Sequence, residues 1–317
     1  MNIKWLAATA LVAATALATG AQAQETKVAV GLSGWTGFAP LTLAKEAGIF
    51  EKNGLDVDLI KIPQASRHLA LASGDVQCAA TTVETWIVWA AAGVPTTQIF
   101  QLDKSHGADG MVVRNDIGSI SDLKGKTVAA SAPGTSPYFY LAWMLKENGM
   151  TMDDVKVVNL EPGPAAQAFI AGQNDAAMTY EPYLSTVREA PDAGKIIATT
   201  LDYPAVMDTF GCTPAFLEEN PDAAKALADS YYEALAMIAE NPDEAYEIMG
   251  ADVNQSAEQF AGSAQYLEWQ DRDAAITFFS GEFNDFSADA AELLQSAGVI
   301  REIPDLTTLA DPSYIQQ

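Results

Sequence analysis

The feature that most constrains this chain is an alternation of strand-like and helix-like segments through its first two hundred residues, broken twice. Lys27–Leu32, Asp56–Ile62, Val76–Ala80 and Thr96–Leu102 read as strands. Between them Pro40–Ala47, Ser66–Ser73 and Val83–Ala92 read as helices, closed by Gly48, Gly74 and Gly93. This rhythm predicts βαβ units, a mostly parallel sheet with helices on both faces. Small residues from Lys104 to Gly110 interrupt it, and it then restarts. Strands are expected at Met111–Arg114, Lys126–Ala132, Val155–Leu160, Ala176–Thr179 and Lys195–Thr200, with helices at Ser136–Glu147, Ala165–Ala171 and Pro182–Glu189. Asp202-Tyr-Pro204 breaks the chain again, and Val206–Cys212 is one further strand. From Pro221 onward the pattern is nearly all helix, with start signals such as Asn241-Pro-Asp-Glu.

Two α/β units joined by two crossings predict two lobes with a cleft between them. The expected division is residues 24–105 and 207–317 for the first lobe and 106–206 for the second. Ligands of open α/β sheets bind beyond the carboxyl ends of the strands, and pockets favour domain interfaces. The residues just after each strand are therefore the candidates.

Residues 1–23 read as an address. Lys4 is the sole charge before Glu25, and it precedes an apolar run from Leu6 to Ala18 and the small-residue site Ala21-Gln22-Ala23. This is the pattern of a Sec-type signal peptide cleaved after Ala23. The run is shorter than the roughly 20 residues a membrane span needs. A periplasmic location follows as an expectation. Export permits a disulfide, but Cys78 and Cys212 both sit in apolar, strand-like contexts, where two buried thiols fit as well as a bridge.

Charge and composition exclude several classes. With 17 Lys and Arg against 42 Asp and Glu, the formal net charge is −25. Binding to nucleic acid needs clustered cations to neutralise phosphates, and anionic membranes repel such a surface. A hydrophobic fraction of 49% excludes a disordered acidic chain. His68 and His106 have no metal-spaced partner, and no G-x-S-x-G elbow occurs. Gly125-Lys126-Thr127 imitates the end of a phosphate loop, but Ile120 stands where its first glycine belongs. Neither a catalytic residue nor a metal or cofactor is expected.

Five loops fall at strand ends: Gly34–Phe38, Thr81–Glu84, Asp103–Asp109, Pro133–Tyr140 and Tyr180–Tyr183. They carry Trp35, Tyr138, Tyr140 and Tyr180 as stacking faces and Glu84, Asp103, Asp109 and Glu181 as carboxylates, with Lys104 as their only Lys or Arg. Glu84 also suits the helix macrodipole, and Thr82, Thr135 or Ser136 also suit an N-cap. Helix-start N–H groups bind anions, whereas carboxylates with aromatic faces suit a cation. The set leans toward a small cationic or zwitterionic nitrogen compound.

Several stretches resemble a known family. They are Gly31-x-x-Gly34-Trp35, the run from Leu41 to Val57, Ala70–Val76, Gly107-Ala108-Asp109-Gly110, Asp122-Leu123-Lys124-Gly125-Lys126, Ala168–Ala177 and Glu181-Pro182-Tyr183. They are similar to the nitrate/taurine/sulfonate family of ABC-importer substrate-binding proteins. The resemblance implies a type II periplasmic-binding-protein fold that closes on a solute, without catalysis, and presents it to a membrane permease and ATPase. It also implies a monomer. Members carry taurine, alkane- or arylsulfonates, nitrate, thiamine precursors or guanidinium compounds. Matching motif to motif puts Trp35, Thr81, Thr82, Glu84, Asp109, Ser136, Tyr138 and Glu181 at or beside the cleft. Trp35 and Tyr138 would stack, and Glu84, Asp109 and Glu181 would pair with a cationic nitrogen. Sulfonate members usually place small hydroxyl residues where Glu84 stands, so Glu84 departs from that pattern. The alternatives are taurine, alkanesulfonate or nitrate in the same cleft, a pyrimidine-precursor binding or synthesising protein, and an exported sensory module.

Overall fold

A computed structural model describes residues 25–316, so the leader segment lies outside the described residues. Eleven strands occur among them. The first four are β1 (Thr26–Leu32), β2 (Leu55–Lys61), β3 (Cys78–Thr82) and β4 (Thr97–Ser105). Five more follow: β5 (Asp109–Val113), β6 (Thr127–Ala130), β7 (Lys156–Asn159), β8 (Ala176–Tyr180) and β9 (Lys195–Thr199). The chain then returns with β10 (Met207–Cys212) and β11 (Leu267–Trp269).

These strands make two sheets, of order β11-β4-β10-β3-β1-β2 and β7-β6-β8-β5-β9. β1 runs parallel to β2 and β3, and β6 parallel to β7 and β8. The two strands that follow a crossing, β5 and β10, run antiparallel to both their neighbours. Every residue of β3, β5 and β10 is buried. Central strands covered on both faces are expected to read as near-continuous apolar runs, which makes a charged residue in one of them a marked exception. Architecture and sheet content are those of the type II periplasmic-binding-protein fold.

The crossings run side by side. Ser105 Oγ and Thr200 Oγ1 are 2.8 Å apart, the Gly107 N–H donates to Thr200 Oγ1 at 2.8 Å, and the Ser105 N–H donates to Val206 O at 3.1 Å. Gly107 takes φ +104° between the side chains of Tyr266 and Leu201, a backbone conformation that side chains rarely adopt. The Glu282–Ser296 helix packs against both lobes, with Phe286 set against Phe139 and Trp143 of the Ser136–Glu147 helix. No helix among the described residues is long and apolar enough to cross a membrane.

Two expectations change. β4 continues through Asp103 to Ser105, which the sequence assigned to the first crossing. β11, in the stretch read as nearly all helix, pairs with β4 at Asp103–Ser105, and β10 pairs with Asp103 and Lys104 on the other side. Of the two readings of the cysteines, the bridge is the one formed. Cys212 on β10 lies directly opposite Cys78 on β3, and the two are joined as a disulfide. Their meeting depends on the return of β10 into the first sheet after a separation of 134 residues, which no local pattern encodes.

Candidate functional site

Between the sheets lies a cavity of about 20 Å³, room for roughly one water, so the lobes stand closed on one another. Trp35, Thr81, Thr82, Asp109 and Ser136 line it. They come from the ends of β1 and β3, the start of β5 and the first turn of the Ser136–Glu147 helix. Tyr180, read from the sequence as a stacking face, also lines it, as do Gln64, Arg67 and Asp208, none of which was singled out from the sequence.

Trp35 follows β1 directly. Its indole N–H donates to Asp103 Oδ1 at 3.2 Å, and its ring meets Tyr180 of the second sheet edge-on at 5.2 Å. Gly37 makes this possible. A Cβ there would lie 2.2 Å from Trp35 Nε1 and 2.3 Å from Asp103 Oδ2. Gly37→Ala should therefore push the Trp35–Asp103 pair apart. Overpacking of this kind costs about 1–3 kcal/mol, so solute affinity should fall about tenfold or more while the fold persists. Calorimetric titration beside a circular-dichroism spectrum checks this, and unchanged affinity would contradict it.

Four carboxylates cluster around the cavity, all buried: Glu84, Asp103, Asp109 and Asp208. Asp208 is placed by register, opposite Thr82 on one side and Asp103 on the other. Glu84 sits in the first turn of the Val83–Ala91 helix, where the Thr82 hydroxyl donates to its Oε1. One oxygen each of Glu84, Asp103 and Asp109 has no hydrogen-bond partner. Burial pushes the Glu84 carboxyl up to about 8, against the Thr82 hydrogen bond. Burial also pushes Asp109 up to about 7, with the Glu181 charge adding to the effect. Asp103 and Asp208 rise well above the ordinary range for the same reason, each made worse by neighbouring aspartates.

One cation faces this group. Arg67, on the Gln64–Ser73 helix, is buried, and its guanidinium spends its donors on Ala80 O at 2.5 Å and Ile62 O at 2.9 and 3.3 Å. Burial lowers it to about 10, partly offset by Tyr180, Asp208 and Glu161, so it stays charged at neutral pH. The cavity therefore holds more acidic groups than its own cation can balance. Buried charge without a partner is costly, and protonation or a positively charged solute relieves that cost. Among the described residues no group of three or more His, Cys, Asp or Glu is arranged to hold a metal ion.

Three expected site residues do not line the cavity, and of these Glu84 is joined to it only through the Thr82 hydroxyl. Tyr138 lies two residues past Ser136 on the same helix, roughly 200° around it, and does not line the cavity. Tyr140, four residues past Ser136 and so on the same face, is buried with an unpartnered hydroxyl, which burial and then the Asp109 charge hold well above the usual phenol range. Glu181 is buried but already paired. It bonds to the Arg188 guanidinium and accepts from the Ser185 N–H at 3.1 Å. Arg188 in turn lies over the Tyr266 ring at 4.2 Å, so this pair ties the second lobe to the first outside the cavity. Lys104 is also engaged away from the cavity, with Glu282. Two signals for the missed residues were available. Asp208 is a carboxylate inside a short apolar strand, and Arg67 lies four residues before the core residue Leu71 on one helix face.

Two α/β lobes joined by paired crossings and closed on a polar cavity define the class: a solute-binding protein of the periplasmic-binding-protein fold. More narrowly, the chain belongs to the NMT1/THI5-like family, whose model matches residues 35–245. It is 31% identical over 231 residues to the taurine-binding periplasmic protein of Escherichia coli, covering 70% of this chain and 69% of that one. In structure it is similar to the alkanesulfonate-binding protein of Xanthomonas axonopodis pv. citri bound to MOPS, with a TM-score of 0.77 at 16% identity over 91% of this chain and 99% of the other. The periplasmic nitrate-binding protein of Synechocystis gives a TM-score of 0.73 at 20% identity, covering 92% and 87%. These structural likenesses carry the fold.

Proposed function

We propose that this chain is the periplasmic solute-binding subunit of an ABC importer and that its solute is a small cationic nitrogen compound. The observation that carries the reading is the cluster of four buried carboxylates, three with an unpartnered oxygen, set against one arginine. Charge-assisted hydrogen bonds to those oxygens and the faces of Trp35 and Tyr180 suit an ammonium or guanidinium group. The small closed cavity favours a compact one. Hinge motion at the paired crossings would open the lobes, and solute would favour the closed form by its stronger contacts there. The family's solute-binding role supports binding without turnover, followed by delivery to a permease and ATPase. The leader segment supports export. A zwitterion such as taurine is the second reading, favoured by the Escherichia coli relative and by Arg67 at the cavity wall.

A thermal-shift screen of small amines, guanidinium compounds, taurine, alkanesulfonates and nitrate tests the choice. A solute at 100 times its Kd stabilises by about 2.7 kcal/mol. Shifts confined to sulfonates or nitrate would overturn the cation reading.

The same carboxylates give the binding a pH dependence. Their folded values, about 7 for Asp109 and about 8 for Glu84, lie above the unfolded values of roughly 4. The folded protein therefore holds protons that the unfolded chain has released, and unliganded stability falls as pH rises from about 4 to about 8. A bound cation favours the ionised forms and expels those protons. Affinity should rise with pH across the upper part of this window, by up to about tenfold per unit for each proton displaced, and level off above about pH 8. Titration calorimetry in buffers of different ionisation enthalpy should register proton release near pH 7. An affinity flat from pH 5 to 8 would contradict this.

A further inference from the structure

One pole of the cavity differs from the rest. The Ser136–Glu147 helix, twelve residues long, starts there, and Ser136 lines the cavity with a buried hydroxyl that has no partner. Across from it stand the hydroxyls of Thr81, Thr82 and Thr85. A helix N-terminus with hydroxyls beside it is a ready acceptor site for an oxyanion. Here the place is taken by Gln64, reaching over from the other lobe. Gln64 Oε1 accepts from the Ser136 N–H at 3.0 Å. Gln64 Nε2 donates to Thr81 Oγ1 at 2.8 Å and Thr85 Oγ1 at 2.9 Å, with Thr82 Oγ1 at 3.4 Å. The proton of Thr82 is directed to Glu84 Oε1. Each group that an incoming sulfonate would need is thus engaged by a neutral amide, except the Ser136 hydroxyl.

We propose that Gln64 is the specificity-determining residue of the cleft: it stoppers the anion-accepting pole and so admits cationic solutes while refusing oxyanions. This rests on the reading of the cleft as the solute site and narrows it, since a zwitterion with a sulfonate end would have to displace Gln64. An amide does this where a small side chain could not. It satisfies a donor on one lobe and acceptors on the other without adding charge beside Glu84. An oxyanion in its place would gain the Ser136 N–H but would face Glu84 across Thr82. A site built to hydrogen-bond one group discriminates strongly against a substitute that leaves buried polar atoms unpaired.

The test uses the wild-type protein and two variants, Gln64→Ala and Gln64→Glu. Each is titrated calorimetrically with ethanesulfonate and, in parallel, with methylguanidinium, with melting curves to establish that each is folded. Gln64→Ala frees the Ser136 N–H and the three hydroxyls, and should bind ethanesulfonate at least about tenfold more tightly than wild type. Gln64→Glu keeps an acceptor on the Ser136 N–H and adds a negative charge, and should bind it no better than wild type. Ethanesulfonate affinity that is unchanged in Gln64→Ala, or higher in wild type than in Gln64→Ala, overturns the role of Gln64. Methylguanidinium reports separately on the cleft: wild type that fails to bind it counts against the cation reading, whatever the variants do with ethanesulfonate.

Discussion

Asp109→Asn is expected to weaken binding of a cationic solute by about 30-fold or more while raising the melting temperature of the unliganded protein. The first effect follows from removing one partner of a desolvated charge pair, which typically costs about 2–5 kcal/mol. The second follows from the surroundings of Asp109. Its Oδ2 is buried without a hydrogen-bond partner, and its charge adds to that of Glu84, Asp103 and Asp208. An amide keeps the shape without the charge, and the backbone N–H still donates to Ser105 Oγ at 3.0 Å. The stabilisation should be largest above about pH 7, where the aspartate would otherwise be ionised. Calorimetric titration and a melting curve on the same preparation check both halves. A structural role alone would lower the melting temperature together with the affinity, and that outcome would sink the electrostatic account.

Removing the Cys78–Cys212 bridge should be the largest single loss of stability. Cross-linking residues 134 apart restricts the unfolded chain by about 5 kcal/mol on the chain-entropy estimate. At about 2–4 °C per kcal/mol for a protein of this size, a Cys78→Ala/Cys212→Ala variant should melt about 10–20 °C lower. The effect should reach the site, because β10 is held between β3 and β4 and carries Asp208 into the cavity. Wild type in reductant should melt as the double variant does, and solute should recover part of the loss in both. A double variant that melts within a degree or two of wild type would show that β10 is held by its ladder alone.

The legible part of the fold is the part written in short-range pattern. Strand and helix alternation, the Gly stops and the two small-residue breaks each depend on a few neighbouring residues, and the two-sheet architecture follows from them. That Trp35, Thr81, Thr82, Asp109 and Ser136 meet at one cavity was legible for the same reason: each stands at the end of a strand, the start of the strand after a crossing, or the start of a helix. Tyr138 lies off the cavity although its helix was expected at Ser136–Glu147, since helical rotation turns the second residue after Ser136 away from the face that the fourth, Tyr140, shares with it. Glu181 was read as a cleft carboxylate; it lies off the cavity and pairs with Arg188, seven residues on, which the short helix that follows folds back beside it.

The sequence by itself determined the class of fold, the family and the strand ends that bring five residues to one cleft, because those depend on local periodicity and local turns. Only the tertiary structure decided the charge balance of that cleft. Asp208 enters it because β10 returns between β3 and β4, Asp103 is set beside Asp208 by the register of β10 on β4, and Gln64 and Arg67 reach it from the helix that follows β2. Contacts made by strand register and by the packing of distant elements leave no mark on neighbouring residues, and they set the electrostatics from which the solute is inferred.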